Sequence, residues 1–222
     1  MKYKVVEIFD SIDGEGIRTG LPVSFVRLAG CNLRCSYCDT LYALFGEAEE
    51  CVYEEMTAEE IIEKLKFKRV TLTGGEPLIA NGVNELVSIM AEKGFEVNIE
   101  TNGAADIGII KQRENVFFTI DYKLPSSGME DKMLWDNFLN LRECDVVKFV
   151  VGSDEDVDVM ISVVRKMREH YKVMPNIFAG AVYGSFDNKR LVDVIINTPE
   201  LCDARIQVQL HKIIWQPDER GV

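Results

Sequence analysis

The sequence predicts an α/β protein built on parallel strands, and three observations lead there. From Pro22 onward short β-branched runs alternate with helical periodicity, the mark of βαβ units whose parallel strands need crossover connections. Six of the strand runs end in polar or glycine-rich sequences, GCNLRC, TGGEP, ETNG, DYKLPSSG, KFVVGS and QLHK, and parallel sheets bind ligands at the carboxyl ends of their strands. No linker, low-complexity segment or internal repeat divides the 222 residues, so one domain is expected. About six or seven units are fewer than the eight of a closed barrel. An incomplete TIM-type barrel and an open doubly wound sheet are therefore the two candidates.

The elements follow in order. PVSFVRLAG reads as a strand that runs into a cysteine-bearing loop, and 57–67 as a helix opened by a Thr57-x-x-Glu60 capping box. RVTLT is a strand, 83–94 a helix closed by Gly94, and FEVNIE the next strand. A weak helix over 104–113, the strand VFFTID, a helix over 131–142 and the strand DVVKFVV come next. A long helix over 155–171, the strand NIFAGAV, a helix over 187–197 and the strand ARIQVQL complete the pattern. Residues 1–21 precede the first strand of this series as an N-terminal extension.

Composition narrows the function classes. A formal net charge of −12 with no basic stripe argues against nucleic-acid binding. No apolar run reaches the roughly 18–20 residues of a membrane helix, and MKYKVVEIFDS lacks a signal-peptide core. A cytoplasmic protein with no membrane role is expected. The acidic runs 47–55 and 153–158 read as a surface loop and a helix start. Cys144 and Cys202 precede apolar runs and are expected to be small buried hydrophobes, while Cys51 is assigned no role.

The chemistry concentrates in CNLRCSYCDT, where Cys31, Cys35 and Cys38 are spaced C-x3-C-x2-C. Structural zinc wants four closed ligands, yet only His170 and His211 exist, and Cys51 stands beyond an apolar and acidic stretch. The spacing favours an iron–sulfur cluster, whose irons take soft thiolates. With three protein ligands on a cubane, one iron stays open.

C-x3-C-x2-C after the first strand, followed by TGGEP after the second, resembles the radical S-adenosylmethionine (SAM) enzymes. That resemblance implies a [4Fe–4S] cluster on Cys31, Cys35 and Cys38, with SAM on the fourth iron. The expected architecture is a single radical SAM domain over 1–222, in which residues 1–21 form an N-terminal substrate-recognition extension and 22–215 an incomplete TIM-type barrel of about six βα units. The segments 12 IDGEG 16, 20 GLPVSFVRLAGCNL 33, 37 YCDT 40, 73 TGGEPL 78, 100 ETNG 103, 121 DYK 123 and 209 QLHK 212 are similar to the 7-carboxy-7-deazaguanine synthases in particular. Residues 124–143 align least. The implied reaction converts 6-carboxy-5,6,7,8-tetrahydropterin into 7-carboxy-7-deazaguanine and ammonia by radical ring contraction. The implied partners are Mg2+, a flavodoxin or ferredoxin as electron donor, and a second copy in a homodimer. A glycyl-radical activase, which shares the cysteine spacing, is the alternative enzyme.

Site residues carried by the resemblance stand beside plainer readings. Gly74 and Gly75 would let the backbone approach the cofactor, or simply make a tight turn. Tyr37 and Asp39 would line its pocket, joined by Glu100, Asn102, Asp121 and Lys123 at the strand ends. Thr40 would ligate Mg2+ through its hydroxyl, or cap a helix. Arg27, which interrupts an apolar strand, would clamp the substrate carboxylate, or point to solvent. Ile12, Asp13, Gly14 and Glu15 would form the pterin-recognition loop, with Asp13 where an amide is expected. Thr73 and His211 are further substrate candidates, and Lys148 is a candidate partner for a carboxylate.

Overall fold

The structure, a computed structural model, describes residues 1–46, 50–217 and 219–222. Residues 47–49 of the acidic run read as a surface loop lie outside the described residues. The strands are β1 (Lys2–Ile12), β2 (Pro22–Leu28), β3 (Glu54–Thr57), β4 (Arg69–Gly74), β5 (Glu96–Thr101), β6 (Val116–Tyr122), β7 (Val146–Val151), β8 (Asn176–Ala181) and β9 (Arg205–Ile206). The α-helices are α1 (Ala58–Glu63), α2 (Val83–Glu92), α3 (Asp154–His170), α4 (Asn188–Asn197) and the short α5 (His211–Ile214).

Among the described residues these strands form one sheet in the order β3-β1-β2-β4-β5-β6-β7-β8-β9. From β2 to β9 every pairing is parallel, while β1 runs antiparallel to both β2 and β3. The sheet is open, with β3 and β9 as its edges. The α/β class and the parallel strands are as expected, and the strand pairing leaves the sheet unclosed.

The strands alternate cleanly between two faces. Val26 and Leu28, Val70 and Leu72, Val97 and Ile99, Phe118 and Ile120, and Val147 and Phe149 enter the main apolar core. Helical residues Leu86, Met90, Met160 and Val164 join the same core. Their strand neighbours Arg27, Thr73, Glu100, Asp121 and Lys148 project to the other face and line a cavity. Helices thus cover the apolar face, and the polar face is free for ligands.

Local signals hold where the chemistry is local. Thr57 Oγ1 accepts from Glu60 N while Glu60 Oε2 accepts from Thr57 N, the reciprocal box that opens α1. Ser153 Oγ accepts from Asp156 N at 3.1 Å, and acids fill the first turn of α3 where its dipole favours them. Tertiary partners override propensity elsewhere. The helix expected over 104–113 is only a 3-10 turn at Ile107–Ile109, and that over 131–142 is two such turns, Glu130–Lys132 and Trp135–Leu139. Buried Asn137 explains both, because its side chain accepts from Ile107 N and donates to Gly103 O and Ala105 O. The last strand is cut to two residues, since Gln207 turns inward and accepts from Gly16 N at 2.6 Å. β1 and β3 arise where no strand was expected. Cys144 and Cys202 prove exposed rather than buried.

Candidate active site

Every residue singled out as a site candidate lines one cavity of about 700 Å³ at the carboxyl ends of the parallel strands. Register sets its wall: Arg27 stands beside Thr73, Glu100 beside Thr119, and Asp121 beside Lys148.

The cysteine loop leaves β2 and is pinned from several sides. Arg34 Nη1 donates to Cys31 O at 3.2 Å and Leu33 O at 2.8 Å, and its Nη2 to Phe45 O at 2.6 Å. Asn32 Nδ2 donates to Ala104 O, Ser36 N to Ser127 O and Ser36 Oγ to Ser126 O. The poorly aligned segment after β6 therefore supports this loop. Cys31, Cys35 and Cys38 are outside any disulfide, each half-buried. Leu33 N and Asn102 Nδ2 donate to Cys31 Sγ at 3.4 and 3.6 Å, donors of the kind that tune a ligated sulfur. Burial pushes the Cys31 and Cys35 thiols up, so a bound metal would have to displace their protons. No three His, Cys, Asp or Glu side chains among the described residues are gathered for a single ion. Three soft donors on one loop, facing a roomy cavity, fit a cluster.

The glycines at the end of β4 have a reason the sequence did not reveal. A Cβ on Gly74 would lie 2.3 Å from Leu28 O, and one on Gly75 2.3 Å from Gly30 O and 2.7 Å from the Cys31 Cβ. The close approach is to the backbone that carries the cysteine loop. Glu76 N donates to Gly30 O at 2.8 Å. The Glu76 carboxylate is fully buried and accepts from Leu78 N, Thr101 Oγ1 and Asn102 N. Burial pushes it up to about 7 in spite of those bonds. Pro77 opens a 3-10 turn behind it. TGGEP is thus a brace joining the ends of β2, β4 and β5.

A charged network covers the middle of the sheet. Asp121 pairs with Lys123 at 2.8 Å and Lys148 at 3.2 Å, and Lys148 also pairs with Glu15. Burial alone would depress Lys148, but Asp121, Glu15 and Glu100 hold it well above its ordinary value. Burial pushes Glu100 up to about 7, helped by Asp13 and Glu15 and opposed by Lys148 and by a hydrogen bond from Thr73. Lys148, a candidate carboxylate partner in the sequence, is the hub of this wall.

Asp13 is almost fully buried. Its Oδ2 takes Arg18 Nε and Thr71 Oγ1, both at 3.1 Å, and its backbone bonds Leu21 and Gly20. Oδ1 is left without a partner among the described residues. The Tyr37 hydroxyl is likewise buried and without a hydrogen-bond partner among the described residues, and burial pushes it up to about 12. Thr40 precedes a 3-10 turn without a side-chain cap, and its hydroxyl donates to Asp39 Oδ1 at 3.0 Å. Asp39 in turn pairs with Lys212 at 3.2 Å. A hydroxyl beside a carboxylate is the hard-oxygen chemistry that suits Mg2+. His211 opens α5 rather than ending a strand, and burial keeps its imidazole below the usual value. Arg27 donates through Nε to Glu7. The sequence reading did not single out Tyr42, Lys212 and the tail residues Arg220–Val222, which line this cavity, or Glu7, which holds Arg27 without lining it. Only the polar positions in the β1 alternation could have hinted at Glu7.

A largely parallel sheet with three thiols at the exit of its first parallel strand defines a radical SAM protein, and the Radical SAM superfamily model matches residues 25–189. A 7-carboxy-7-deazaguanine synthase of Clostridium acetobutylicum is 41% identical over 227 residues, covering 100% of each chain. One from Leptospira interrogans is 36% identical, covering 100% of this chain and 99% of its own. The chain belongs to the radical SAM superfamily and, within it, to the 7-carboxy-7-deazaguanine synthase family. In fold it matches a crystal structure of QueE from Escherichia coli, with a TM-score of 0.75 at 23% identity over 94% of both chains. It also resembles Streptococcus suis SuiB bound to S-adenosylmethionine, with a TM-score of 0.51 at 13% identity over 80% of this chain and 44% of that one. The glycyl-radical activase reading is not favoured.

Proposed function

We propose that this chain is a radical SAM lyase that converts 6-carboxy-5,6,7,8-tetrahydropterin into 7-carboxy-7-deazaguanine and ammonia, a step of 7-deazapurine and queuosine biosynthesis. One observation carries the reading: a single cavity gathers three thiols, the Arg27 guanidinium and a wall of buried carboxylates and amines. When bound, the cluster and SAM would supply the one-electron chemistry that removes a hydrogen atom from a substrate carbon.

The protein's part is to bind, orient and exclude water. Cys31, Cys35 and Cys38 would hold the cluster, and Gly74, Gly75 and Asn102 would lie against SAM beside it. Tyr37, Asp39, Glu100, Asp121 and Lys123 contact SAM, and Thr40 Oγ1 offers Mg2+ an oxygen. Arg27 takes the substrate carboxylate. Asp13 and the backbone of Ile12, Gly14 and Glu15 would recognise the amidine edge of the pterin, and Thr73 and His211 would be further substrate contacts. We also infer one radical SAM domain over 1–222, with residues 1–21 as its substrate-recognition extension and 22–215 curved as an incomplete barrel. The same family likeness supports a homodimer, a flavodoxin or ferredoxin donor and a cytoplasmic location. No described helix is long and apolar enough to cross a membrane.

The test is anaerobic: reconstituted protein, SAM, dithionite, Mg2+ and 6-carboxytetrahydropterin, with product read by mass spectrometry. Product that disappears in Cys35→Ala supports the proposal. SAM cleavage without this product would overturn the substrate, and a colourless zinc protein would overturn the chemistry.

A further inference from the structure

We propose that Glu7 is a positioning residue for Arg27, set opposite it by a bulge in β1, and that Tyr42 completes the arrangement from the loop after the cysteines. The proposal deepens the functional reading and rests on Arg27 as the carboxylate-binding group.

The register carries the argument. Val5 pairs with Leu28, but the next pair is Glu7 with Arg27, so the ladder shifts between Val5 and Glu7. A regular antiparallel ladder would set Val6 across from Arg27. One extra residue in β1 instead brings a carboxylate there, which is how bulges re-aim side chains. Beyond the bulge the new register persists through Ile8 and Val26 to Ile12 and Pro22.

Glu7 Oε1 then accepts from Arg27 Nε at 2.6 Å and from the Tyr42 hydroxyl at 2.8 Å. Arg27 and Tyr42 line the cavity, and Glu7 is not among its lining residues. A planar guanidinium held through Nε presents its two Nη groups as a fork, the geometry that matches a carboxylate. The Phe9 and Tyr42 rings lie 6.0 and 5.9 Å from the guanidinium carbon and restrict it further. The Arg27 and Glu7 side chains are only 15% and 21% exposed, so solvent screens the pair weakly. Fixing a long side chain before binding removes an ordering penalty that each ligand would otherwise meet. Tyr42 lies in the 3-10 turn that Thr40 precedes. One carboxylate therefore ties the loop bearing Cys38 and Thr40 to the strand bearing Arg27.

The test compares two unreactive ligands on reconstituted protein with SAM bound: 6-carboxypterin, and pterin lacking the carboxylate. Titration calorimetry gives both affinities for wild type, Glu7→Ala, Glu7→Gln and Arg27→Gln. Glu7→Ala is expected to weaken 6-carboxypterin roughly ten- to a hundredfold, with pterin changed less than about twofold. Glu7→Gln, which keeps an oxygen acceptor for Nε, recovers part of that loss. In turnover the defect falls on KM more than kcat, because the carboxylate contact is made equally before and during reaction. A Glu7→Ala protein that loses affinity for both ligands alike, or for neither, overturns the positioning role. If Arg27→Gln abolishes the preference for the carboxylate while Glu7→Ala keeps it, the role of Glu7 falls and the function stands. If Arg27→Gln keeps the preference, the carboxylate-clamp reading itself fails, and the proposal with it. Wild type that binds neither ligand overturns the substrate.

Discussion

Gly75→Ala tests whether the turn after β4 braces the cysteine loop. The new methyl would sit 2.3 Å from Gly30 O and 2.7 Å from the Cys31 Cβ. Both neighbours belong to the chain that positions the first thiol, and neither is the far end of a flexible side chain. Ordinary contact needs roughly 3.5 Å, so the two segments must part by about 1 Å. Overpacking of this kind costs about 1–3 kcal/mol. Gly75 lacks a left-handed φ, so alanine recovers about 0.4–1 kcal/mol by restricting the unfolded chain. A net loss of about 1–2 kcal/mol follows, and for a chain of this length that lowers Tm by roughly 2–8 °C. The effect on the cluster is larger, because the displaced chain carries Cys31 and metal–ligand distances in a formed site keep within about 0.2 Å of their usual values. We expect iron content after anaerobic reconstitution to fall well below that of wild type, while circular dichroism of the metal-free chain shows only the modest Tm shift. Wild-type iron content together with wild-type Tm would refute the reasoning.

Three other perturbations probe the cavity wall. Lys148→Met strips Asp121 and Glu15 of their shared cation, and denaturant unfolding should show a loss of about 3–5 kcal/mol. Glu100 is pushed up to about 7 from an ordinary 4.5, so the folded chain keeps a proton that the unfolded chain releases. Its contribution makes stability fall as pH rises from about 4.5 to 7, and unfolding curves for Glu100→Gln should show a shallower pH slope across that window. An unchanged slope would remove Glu100 as its source. Arg220 stands 3.9 Å from the Tyr42 ring centroid, a cation–π contact of about 0.5–2 kcal/mol. Arg220→Ala should weaken 6-carboxypterin severalfold in the calorimeter and lower Tm by a few degrees.

The sequence by itself determined what is local or periodic. Strand alternation placed Arg27, Thr73, Glu100, Asp121 and Lys148 on one face, because side chains point to opposite sides at every step. The capping box at Thr57 and the triple cysteine spacing were equally legible, since each is complete within a few residues. Tertiary structure decided whatever depends on a distant partner. Asn137 dissolves two expected helices because the carbonyls it serves lie more than 30 residues away in the chain. Gly74 and Gly75 are required by the backbone of β2 and the loop that leaves it, a neighbour set by strand order rather than by sequence distance. Glu7 meets Arg27 only because a one-residue bulge shifts the ladder, and no periodicity announces a bulge. Which residues could share a rim was thus written in the alternation; which of them touch was left to register and to long-range hydrogen bonds.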